Sequence, residues 1–330
     1  MAESIRLLVA LKPEERLAKL LASEVPGVPW AYASGGAPDA WGRVEAILVD
    51  SFGRGLGAFD PATTPRLALL QLLHTGVDGF PFARIPAHVQ VAANIGAYAP
   101  FVAEHAVALA LAAGRSIVGV QAQVHAKTLR PLPTVRLLYG GTAVILGYGA
   151  IGREIAQRVA PFGMRVIGVN RSGRMAPGCS AMFPAARLRE AVADATVVFD
   201  ARPLTRASER SIGRDELAAM RPEAVYVNVG RAATVDEEAL YHHLLEHPDF
   251  RAALDPWWQE DFEQRTFQTR YPLLDLPNFL GTPHMAAAGP ASAEYAQRSA
   301  LDNLARYFRG EPPLYVVDRR EYLGTAPESA

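Results

Sequence analysis

Cysteine and lysine are nearly absent from this sequence of 330 residues. Cys179 is the only thiol, so the chain cannot form an intramolecular disulfide, which is typical of proteins in a reducing compartment. The only lysines are Lys12, Lys19 and Lys127, and arginine therefore carries almost all of the positive charge. From the cysteine usage we expect a cytoplasmic protein.

Long apolar runs and clusters of like charge are also missing. The formal net charge is −1 and no basic run offers a surface to a polyanion, so we expect no nucleic-acid partner. The apolar run at residues 4–11 lacks a basic flank and is too short for a signal peptide. No uninterrupted apolar stretch has the length that crosses a bilayer, and we expect no membrane association.

Short apolar runs alternate with helix-like or glycine- and proline-rich segments along the chain. Such runs predict strands, at 4–11, 44–51, 67–73 and 89–95 in a first series and at 143–146, 165–169, 195–201, 224–229, 252–255 and 279–281 in a second. Strands separated by helices form parallel βαβ units. The sequence therefore predicts an α/β protein with two doubly wound parallel-sheet domains.

Apolar residues at helical spacing predict the main helices. One is started by Pro13, one long helix covers 102–124, and others cover 151–162 and 293–308. A further helix is expected through Leu245, because Asp236 is a suitable N-cap between the apolar pair Val235 and Leu240.

Three glycines follow the strand predicted at 143–146 in the pattern G-x-G-x-x-G. Gly147 would permit a tight turn, Gly149 would let a pyrophosphate approach the backbone, and Gly152 would let helix and strand pack closely. The helix N-terminus that follows offers amide groups and a positive dipole end to an anion. In this context the motif predicts a dinucleotide site; a ligand-free glycine turn or a methyltransferase-type loop are the alternatives.

The strand predicted at 165–169 ends in Asn170, Arg171 and Ser172. Sites that prefer NAD usually have an acidic residue here, which binds the ribose 2′-hydroxyl. A neutral Asn170 removes repulsion toward a 2′-phosphate, and an arginine can bind that phosphate through two parallel hydrogen bonds. The sequence predicts NADP as the preferred cofactor over NAD, with a solvated loop arginine as the alternative.

Three later segments, at 225–236, 252–260 and 282–289, each follow a predicted strand and each contain a charged or titratable residue. They would lie at the carboxyl edge of a parallel sheet, where such folds bind ligands. Together with the segments at 72–78, 97–100, 102–105 and 203–205, in this order, they resemble the D-isomer-specific 2-hydroxyacid dehydrogenase family over nearly the whole chain.

The resemblance implies a set of roles. Arg231 would bind the substrate carboxylate, His284 would be the general acid/base, and Glu260 would orient His284. The residues assigned to the cofactor are Gly147, Tyr148, Gly149, Ala150, Ile151, Gly152, Asn170, Arg171, Ser172, Val229, Gly230, Asp255 and Val102. The residues assigned to the substrate are Thr75, Gly76, Val77, Tyr98 and Arg231.

The resemblance also implies the architecture. A Rossmann cofactor domain at 101–289 would be inserted in a flavodoxin-like substrate domain formed by 1–100 and 290–330, usually in a homodimer. The chain departs from the family at Ala232, where glycine is usual, and at Pro256 and Asp261. The first change suggests a tighter or shifted turn, and the other two put the geometry of the loop at 257–261 in doubt.

These roles agree with the chemistry of a small 2-oxo acid being reduced to its 2-hydroxy acid. An arginine fork holds the carboxylate in two-point geometry, and a protonated histidine can neutralise the charge that develops on the carbonyl oxygen. By analogy with the family alone, we expect glyoxylate or hydroxypyruvate as the substrate. A nucleotide-sensing or protein-binding module on the same fold, with vestigial catalysis, is the alternative.

Several aromatic and histidine residues have more than one interpretation or no assigned role in the site. Either tryptophan of the pair Trp257 and Trp258 could wall a substrate pocket, and both could equally pack as structural residues. His74 and His105 are interpreted as structural. His242, His243 and His247 lie on one short helix, but no cysteine or carboxylate partner completes a metal site with them, so no metal is predicted.

Overall fold

The structure is a computed structural model that describes residues 5–35, 38–50, 64–129 and 135–322. Residues 4 and 51, at the ends of two predicted strands, lie outside these ranges. The chain divides into two compact units. Unit 1 comprises Met1–Tyr98 and Gly289–Ala330, and unit 2 comprises Ala99–Ala288.

Both units consist of strands and helices. The strands are β1 (Leu7–Ala10), β2 (Trp30–Tyr32), β3 (Ala46–Val49), β4 (Leu69–Leu72), β5 (Gln90–Ala92), β6 (Thr142–Leu146), β7 (Arg165–Asn170), β8 (Ala181–Pro184), β9 (Val197–Asp200), β10 (Val225–Asn228), β11 (Arg251–Leu254), β12 (Gln259–Asp261), β13 (Thr266–Gln268) and β14 (Phe279–Gly281). The helices are α1 (Glu15–Glu24), α2 (Ala99–Gly114), α3 (Ile117–His125), α4 (Ala150–Val159), α5 (Leu188–Val192), α6 (Arg214–Ala218), α7 (Glu237–Glu246) and α8 (Pro290–Phe308).

Unit 1 contains a five-stranded parallel sheet in the order β2-β1-β3-β4-β5. Strands β1, β3 and β4 are buried along their whole length, which is why they appear in the sequence as continuous apolar runs. Helices α1 and α8 cover one face of the sheet through residues such as Leu17, Leu21, Leu301 and Leu304. A second apolar cluster, which includes Val77, covers the other face.

Unit 2 contains a seven-stranded parallel sheet in the order β14-β11-β10-β9-β6-β7-β8. The strand order runs in one direction from β6 to β8 and in the other from β9 to β14. The direction of winding reverses between β6 and β9, and the crevice at the carboxyl ends of such strands is where open α/β sheets bind dinucleotides. The predicted fold class, with two doubly wound parallel sheets, is confirmed.

The single helix predicted at 102–124 is wrong, because the chain forms α2 and α3 with a bend of 54° between them. Ser116 adopts a left-handed backbone conformation with φ of 51° at the break. The carbonyl oxygen of Gly114 accepts hydrogen bonds from the Arg136 amide at 2.7 Å and from the Arg251 guanidinium at 2.7 Å. These long-range donors replace the amides that a continuing helix would supply.

A smaller correction concerns the helix predicted at 151–162. Helix α4 ends at Val159, and Ala160–Phe162 form a 3-10 turn that contains Pro161. Among the described helices, none is by itself long and apolar enough to span a membrane, and α2 with α3 meets that test only as a bent pair.

Strands β2 and β8, helices α5 and α6 and the antiparallel pair of β12 and β13 were not predicted from the sequence. Each of these elements has only three to five residues. Strands β2, β8 and β13 contain no fully buried residue, so apolar periodicity is too weak to reveal them.

Candidate active site

The glycine loop joins β6 to α4 at the point where the winding of the unit 2 sheet reverses. Gly147 has φ of 84°, and a Cβ atom there would lie 2.9 Å from the Arg202 side chain. A Cβ atom at Gly152 would lie 2.7 Å from the carbonyl oxygen of Gly147. At Gly149 a Cβ atom would meet no described protein atom within 4 Å, so the space beside it is open to a ligand. The first amides of α4, which begins directly after Gly149, have no intrahelical acceptor and can bind an anion.

Asn170 ends β7, at the position where an acidic residue would bind a ribose. Its Oδ1 accepts hydrogen bonds from the amides of Ser172 at 3.1 Å and Gly173 at 2.6 Å, and its Nδ2 donates to the carbonyl oxygen of Arg174 at 2.9 Å. The Asn170 side chain therefore shapes the loop that follows β7. Arg171 and Ser172 are exposed on that loop.

The three residues predicted to be catalytic all lie in unit 2 and follow neighbouring strands. Arg231 follows β10, Glu260 follows β11 and His284 follows β14, and these strands are adjacent in the order β14-β11-β10. Because the strands are parallel, their carboxyl ends meet at one edge of the sheet.

His284 and Glu260 are in direct contact. His284 Nδ1 lies 2.7 Å from Glu260 Oε1, and the two side chains are 31% and 14% exposed. The ring of Phe262 packs edge-on against the imidazole with the centroids 5.3 Å apart. His284 has φ of 50°, an uncommon conformation for a residue with a side chain, and its amide donates to the carbonyl oxygen of Asp255 at 2.9 Å. His284 is thus held in place by contacts of both its backbone amide and its imidazole ring.

Glu260 lies on β12, in a hairpin that the sequence analysis did not predict. Its Oε1 also accepts a hydrogen bond from the Trp257 amide at 3.0 Å. Asp261 Oδ1 accepts from the amides of Glu263 at 2.9 Å and Gln264 at 2.8 Å, which forms the turn between β12 and β13. Asp261, which is a departure from the family pattern, therefore stabilises the loop that carries Glu260.

The two tryptophans of this loop pack within unit 2. Trp257 stacks on Phe267 with ring centroids 4.0 Å apart, and its Nε1 donates to the carbonyl oxygen of Thr282 at 3.0 Å. Trp258 Nε1 donates to the carbonyl oxygen of Val235 at 3.0 Å. Both indoles therefore connect the loop after β11 to neighbouring loops at the carboxyl edge of the unit 2 sheet.

Asp255 is 1% exposed and joins the end of β11 to the loop that carries His284. Its Oδ1 accepts from Thr282 Oγ1 at 2.7 Å and from the Met285 amide at 2.8 Å, and its Oδ2 accepts from the Ala286 amide at 2.9 Å. Burial alone would raise the pKa of Asp255, but hydrogen bonds from His105, Thr282 and the two amides outweigh burial and hold this pKa below its usual value. Asp255 is therefore a fixed negative charge.

His105 extends this network from helix α2. Its Nε2 lies 3.0 Å from Thr282 Oγ1 and 3.4 Å from Asp255 Oδ1. His105 was interpreted from the sequence as structural, because nothing in a single sequence links it to an aspartate 150 positions later. Helix α2 therefore contributes a side chain to the network behind His284.

Arg231 begins a compact turn that continues as a 3-10 segment, Ala232–Thr234. The buried Asn228 side chain donates from Nδ2 to the carbonyl oxygen of Arg231 at 3.0 Å and accepts at Oδ1 from the Gly230 amide at 3.0 Å. Ala232 is fully buried in this turn. The alanine that departs from the family pattern is thus accommodated in a tight turn.

The other residues assigned to the cofactor are placed as follows. Tyr148, Val102, Val229 and Gly230 are buried, whereas Ala150 and Ile151 are half-buried at the start of α4. The phenol of Tyr148 is directed into the protein, so this residue offers the glycine loop little more than its backbone.

The residues assigned to the substrate, other than Arg231, lie in unit 1. Thr75 Oγ1 donates to the carbonyl oxygen of Asn94 at 2.9 Å, and Tyr98 stacks on His74 with centroids 6.0 Å apart. The Val77 side chain belongs to the apolar core of the unit, so only its backbone is available to a ligand. Gly76 is half-buried between Thr75 and Val77.

Comparison with known proteins places this geometry in a family. Residues 107–286 match the model of the D-isomer specific 2-hydroxyacid dehydrogenase, NAD binding domain. This chain belongs to the D-isomer-specific 2-hydroxyacid dehydrogenase family. It is an enzyme of this class, and unit 2 carries the NAD-binding domain, for which NAD or NADP is the cofactor.

Two relatives and one solved structure illustrate the similarity within the dehydrogenase family. The hydroxypyruvate reductase of Thermotoga maritima is 30% identical over 67% of this chain and 70% of that protein. The glyoxylate/hydroxypyruvate reductase B of Pectobacterium carotovorum is 34% identical over 64% of this chain and 66% of that protein. A D-isomer specific 2-hydroxyacid dehydrogenase from Xanthobacter autotrophicus Py2, solved with NADPH and MES, is 25% identical with a TM-score of 0.79 over 96% of this chain and 99% of that one.

Proposed function

We propose that this dehydrogenase-family chain reduces a small 2-oxo acid to its D-2-hydroxy acid, or catalyses the reverse reaction, with NADP(H). The observation that carries the proposal is the contact of His284 Nδ1 with Glu260 Oε1 at the sheet edge where Arg231 also lies. A reduced nicotinamide, when bound, supplies the hydride that the substrate carbon accepts.

The proton for the carbonyl oxygen comes from His284 in this proposal. Because Nδ1 is engaged by Glu260, Nε2 is the ring nitrogen that donates the proton during reduction and accepts it during oxidation. Glu260 stabilises the imidazolium form of His284 and fixes the orientation of its ring. The Trp257 amide donates a hydrogen bond to Glu260 and in turn fixes the position of the carboxylate. Arg231 binds the substrate carboxylate and thereby presents one face of the carbonyl group.

Substitution of the acid/base pair tests this assignment. His284→Ala should lower kcat about 100-fold or more, the usual effect of losing a general acid. Glu260→Gln keeps a side chain that can contact Nδ1 but removes the negative charge, and its kcat should fall between those of His284→Ala and the wild type. His88→Ala, an exposed histidine in unit 1, serves as the control with unchanged kcat. Near-normal turnover of His284→Ala would refute the proposal.

Arg231→Lys tests the carboxylate site separately. Lysine keeps the charge but cannot make the two parallel hydrogen bonds of a guanidinium, so KM for the 2-oxo acid should rise about tenfold or more. Glyoxylate and hydroxypyruvate are the first substrates to assay, because two relatives are named as reductases of these acids. Binding of NADPH without turnover of any 2-oxo acid would instead favour a nucleotide-sensing module.

NADPH is the proposed cofactor rather than NADH. Asn170 puts no negative charge beside the ribose, and its loop presents Arg171 and Ser172, which can donate to a 2′-phosphate. Comparison of kcat/KM for the two cofactors tests this preference. A value no higher with NADPH than with NADH would contradict it.

Unit 2 is proposed to be the cofactor domain and the discontinuous unit 1 the substrate domain.

We also propose that the protein is a homodimer in the cytoplasm. Exposed apolar side chains on and after α3 support the dimer, namely Ile117, Val118, Val124 and Leu129. Light scattering should give about 71 kDa, twice the chain mass of 35.6 kDa, and Val118→Asp should lower it toward that of one chain. A wild-type protein of single-chain mass would contradict the dimer.

A further inference from the structure

Tyr148 occupies the second position of the glycine loop, yet its side chain is only 5% exposed. Its Oη donates to the carbonyl oxygen of Pro177 at 2.9 Å. Pro177 lies on the loop that follows β7, which is the loop that carries Arg171 and Ser172. One side chain therefore connects the pyrophosphate loop to the loop beside the ribose.

Two glycines make room for this side chain. A Cβ atom at Gly168 on β7 would lie 2.9 Å from the ring carbon Cδ2 of Tyr148, and one at Gly178 would lie 2.9 Å from its Oη. Burial, with a hydrogen-bonding contribution from Cys179, raises the pKa of the Tyr148 phenol far above its usual value. The phenol is therefore protonated at any working pH and remains a hydrogen-bond donor.

The same loop is fixed at its start by Asn170, which accepts from the amides of Ser172 and Gly173 and donates to the carbonyl oxygen of Arg174. Asn170 thus shapes residues 170–174, and Tyr148 holds residues 177–179. The exposed donors Arg171, Ser172 and Arg174 lie between these two attachments.

We propose that Tyr148 is a positioning residue for cofactor choice, which holds the loop at 171–179 in the conformation that binds the 2′-phosphate of NADPH. The inference rests on the proposed preference for NADPH. A loop that is ordered before binding loses less conformational entropy when its donors engage the phosphate. NADH has no 2′-phosphate, so its affinity depends far less on the order of this loop.

Tyr148→Phe keeps the buried ring and removes the hydrogen bonds of the phenol, which are to Pro177 and Cys179 on the same loop. The dissociation constants of NADPH and NADH are measured by calorimetry for the wild type and the variant. The Kd for NADPH should rise about fivefold, the effect of one lost hydrogen bond, and the Kd for NADH should change less than twofold. Hydrogen exchange of the amides at 171–179 should be faster in the variant.

Tyr32→Phe is the matched control, because the Tyr32 phenol also donates to a backbone carbonyl, that of Glu14 at 3.1 Å, but in unit 1. It should leave both cofactor affinities unchanged. Equal weakening of NADPH and NADH in Tyr148→Phe, or no change in either, would overturn the positioning role. The wild-type ratio of the two Kd values tests the NADPH preference independently, so failure of either idea can be recognised.

Discussion

Asp200 is a fully buried carboxylate at the end of β9, beneath the turn that begins with Arg231. Its oxygens accept hydrogen bonds from Arg202 Nε at 2.9 Å, from Arg202 Nη2 at 2.6 Å and from Tyr226 Oη at 3.1 Å. Thr234 Oγ1, from the Arg231 turn, lies 2.9 Å from Asp200 Oδ2. One buried carboxylate therefore connects the loop after β9, strand β10 and the turn that follows β10.

Asp200→Asn should destabilise the protein by about 3 kcal/mol, because the buried Arg202 guanidinium loses its compensating charge. Urea unfolding at pH 7 measures this free energy. Asp194→Asn, at an exposed position, is the control and should stay within about 0.5 kcal/mol of the wild type. An Asp200→Asn protein as stable as the control would show that the ion pair is not needed for folding.

His243 is a buried histidine of α7 that the fold keeps neutral. It is 8% exposed, and its ring stacks on His247 with centroids 4.2 Å apart. Burial, and to a lesser extent repulsion from His247, lowers the pKa of His243 to about 4. Because this value is below that of an unfolded histidine, the stabilisation is complete above about pH 6.5 and is lost as the pH falls toward 4.

Between pH 7 and pH 5 this single group should remove about 2 kcal/mol from the free energy of unfolding. His243→Gln cannot be protonated, so its free energy of unfolding should decrease by about that much less over the same interval. Urea unfolding at the two pH values measures the difference. His88→Gln, at an exposed histidine, should retain the full wild-type dependence on pH; equal acid sensitivity of His243→Gln would contradict the assignment.

At the scale of secondary structure, α7 begins where the sequence predicted. Asp236 is its N-cap and accepts a hydrogen bond from the Ala239 amide at 2.9 Å, and Arg210 Nε donates to the same carboxylate at 2.7 Å. Asp236→Ala should cost about 1 kcal/mol of stability, as other N-cap losses do, whereas Asp236→Ser should cost less because serine can also accept from the amide. Thermal or urea unfolding distinguishes the two variants, and equal losses would mean that Arg210, not the cap, is the important partner.

The helices and strands that the sequence predicted well are the long or fully buried ones. Strands β6, β7 and β10 have continuous apolar runs, and α8 has a regular apolar face. The break between α2 and α3 was not predicted, because the donors that end α2 come from Arg136 and Arg251, which are distant in sequence. The hairpin of β12 and β13 was missed because its residues are exposed or half-buried and show no apolar periodicity.

At the scale of the whole molecule, cofactor binding should be linked to folding. At a concentration one hundred times its Kd, NADPH should raise the free energy of unfolding by about 2.7 kcal/mol. Gly149→Val should abolish this increase, because its side chain would occupy the space open beside the glycine loop. The same substitution should change the stability without NADPH only slightly, since a Cβ atom there meets no described protein atom.

Calorimetric unfolding with and without NADPH measures both quantities. Arg231→Lys is a control with the full NADPH-dependent increase, because Arg231 is proposed to contact the substrate and not the cofactor. A full increase in Gly149→Val would mean that the cofactor binds elsewhere in the molecule.

The family, the two α/β series and the identity of the candidate catalytic side chains could be predicted from the sequence, because they depend on local apolar patterns and on motifs at strand ends. The contact of His284 with Glu260 was predicted from the resemblance, and the distance of 2.7 Å agrees with that prediction. The roles of Arg231, Glu260 and His284 in catalysis stay predictions.

The contacts that hold these residues in place could not be predicted from the sequence. In the structure, the Asn170 side chain hydrogen-bonds within its own loop and Tyr148 donates to Pro177. His105 of α2 lies against Asp255, which follows β11. Each of these contacts joins residues whose pairing leaves no periodic signal in one sequence. Their geometry depends on how strands and helices pack after the chain has folded, and for that reason no local pattern could predict it.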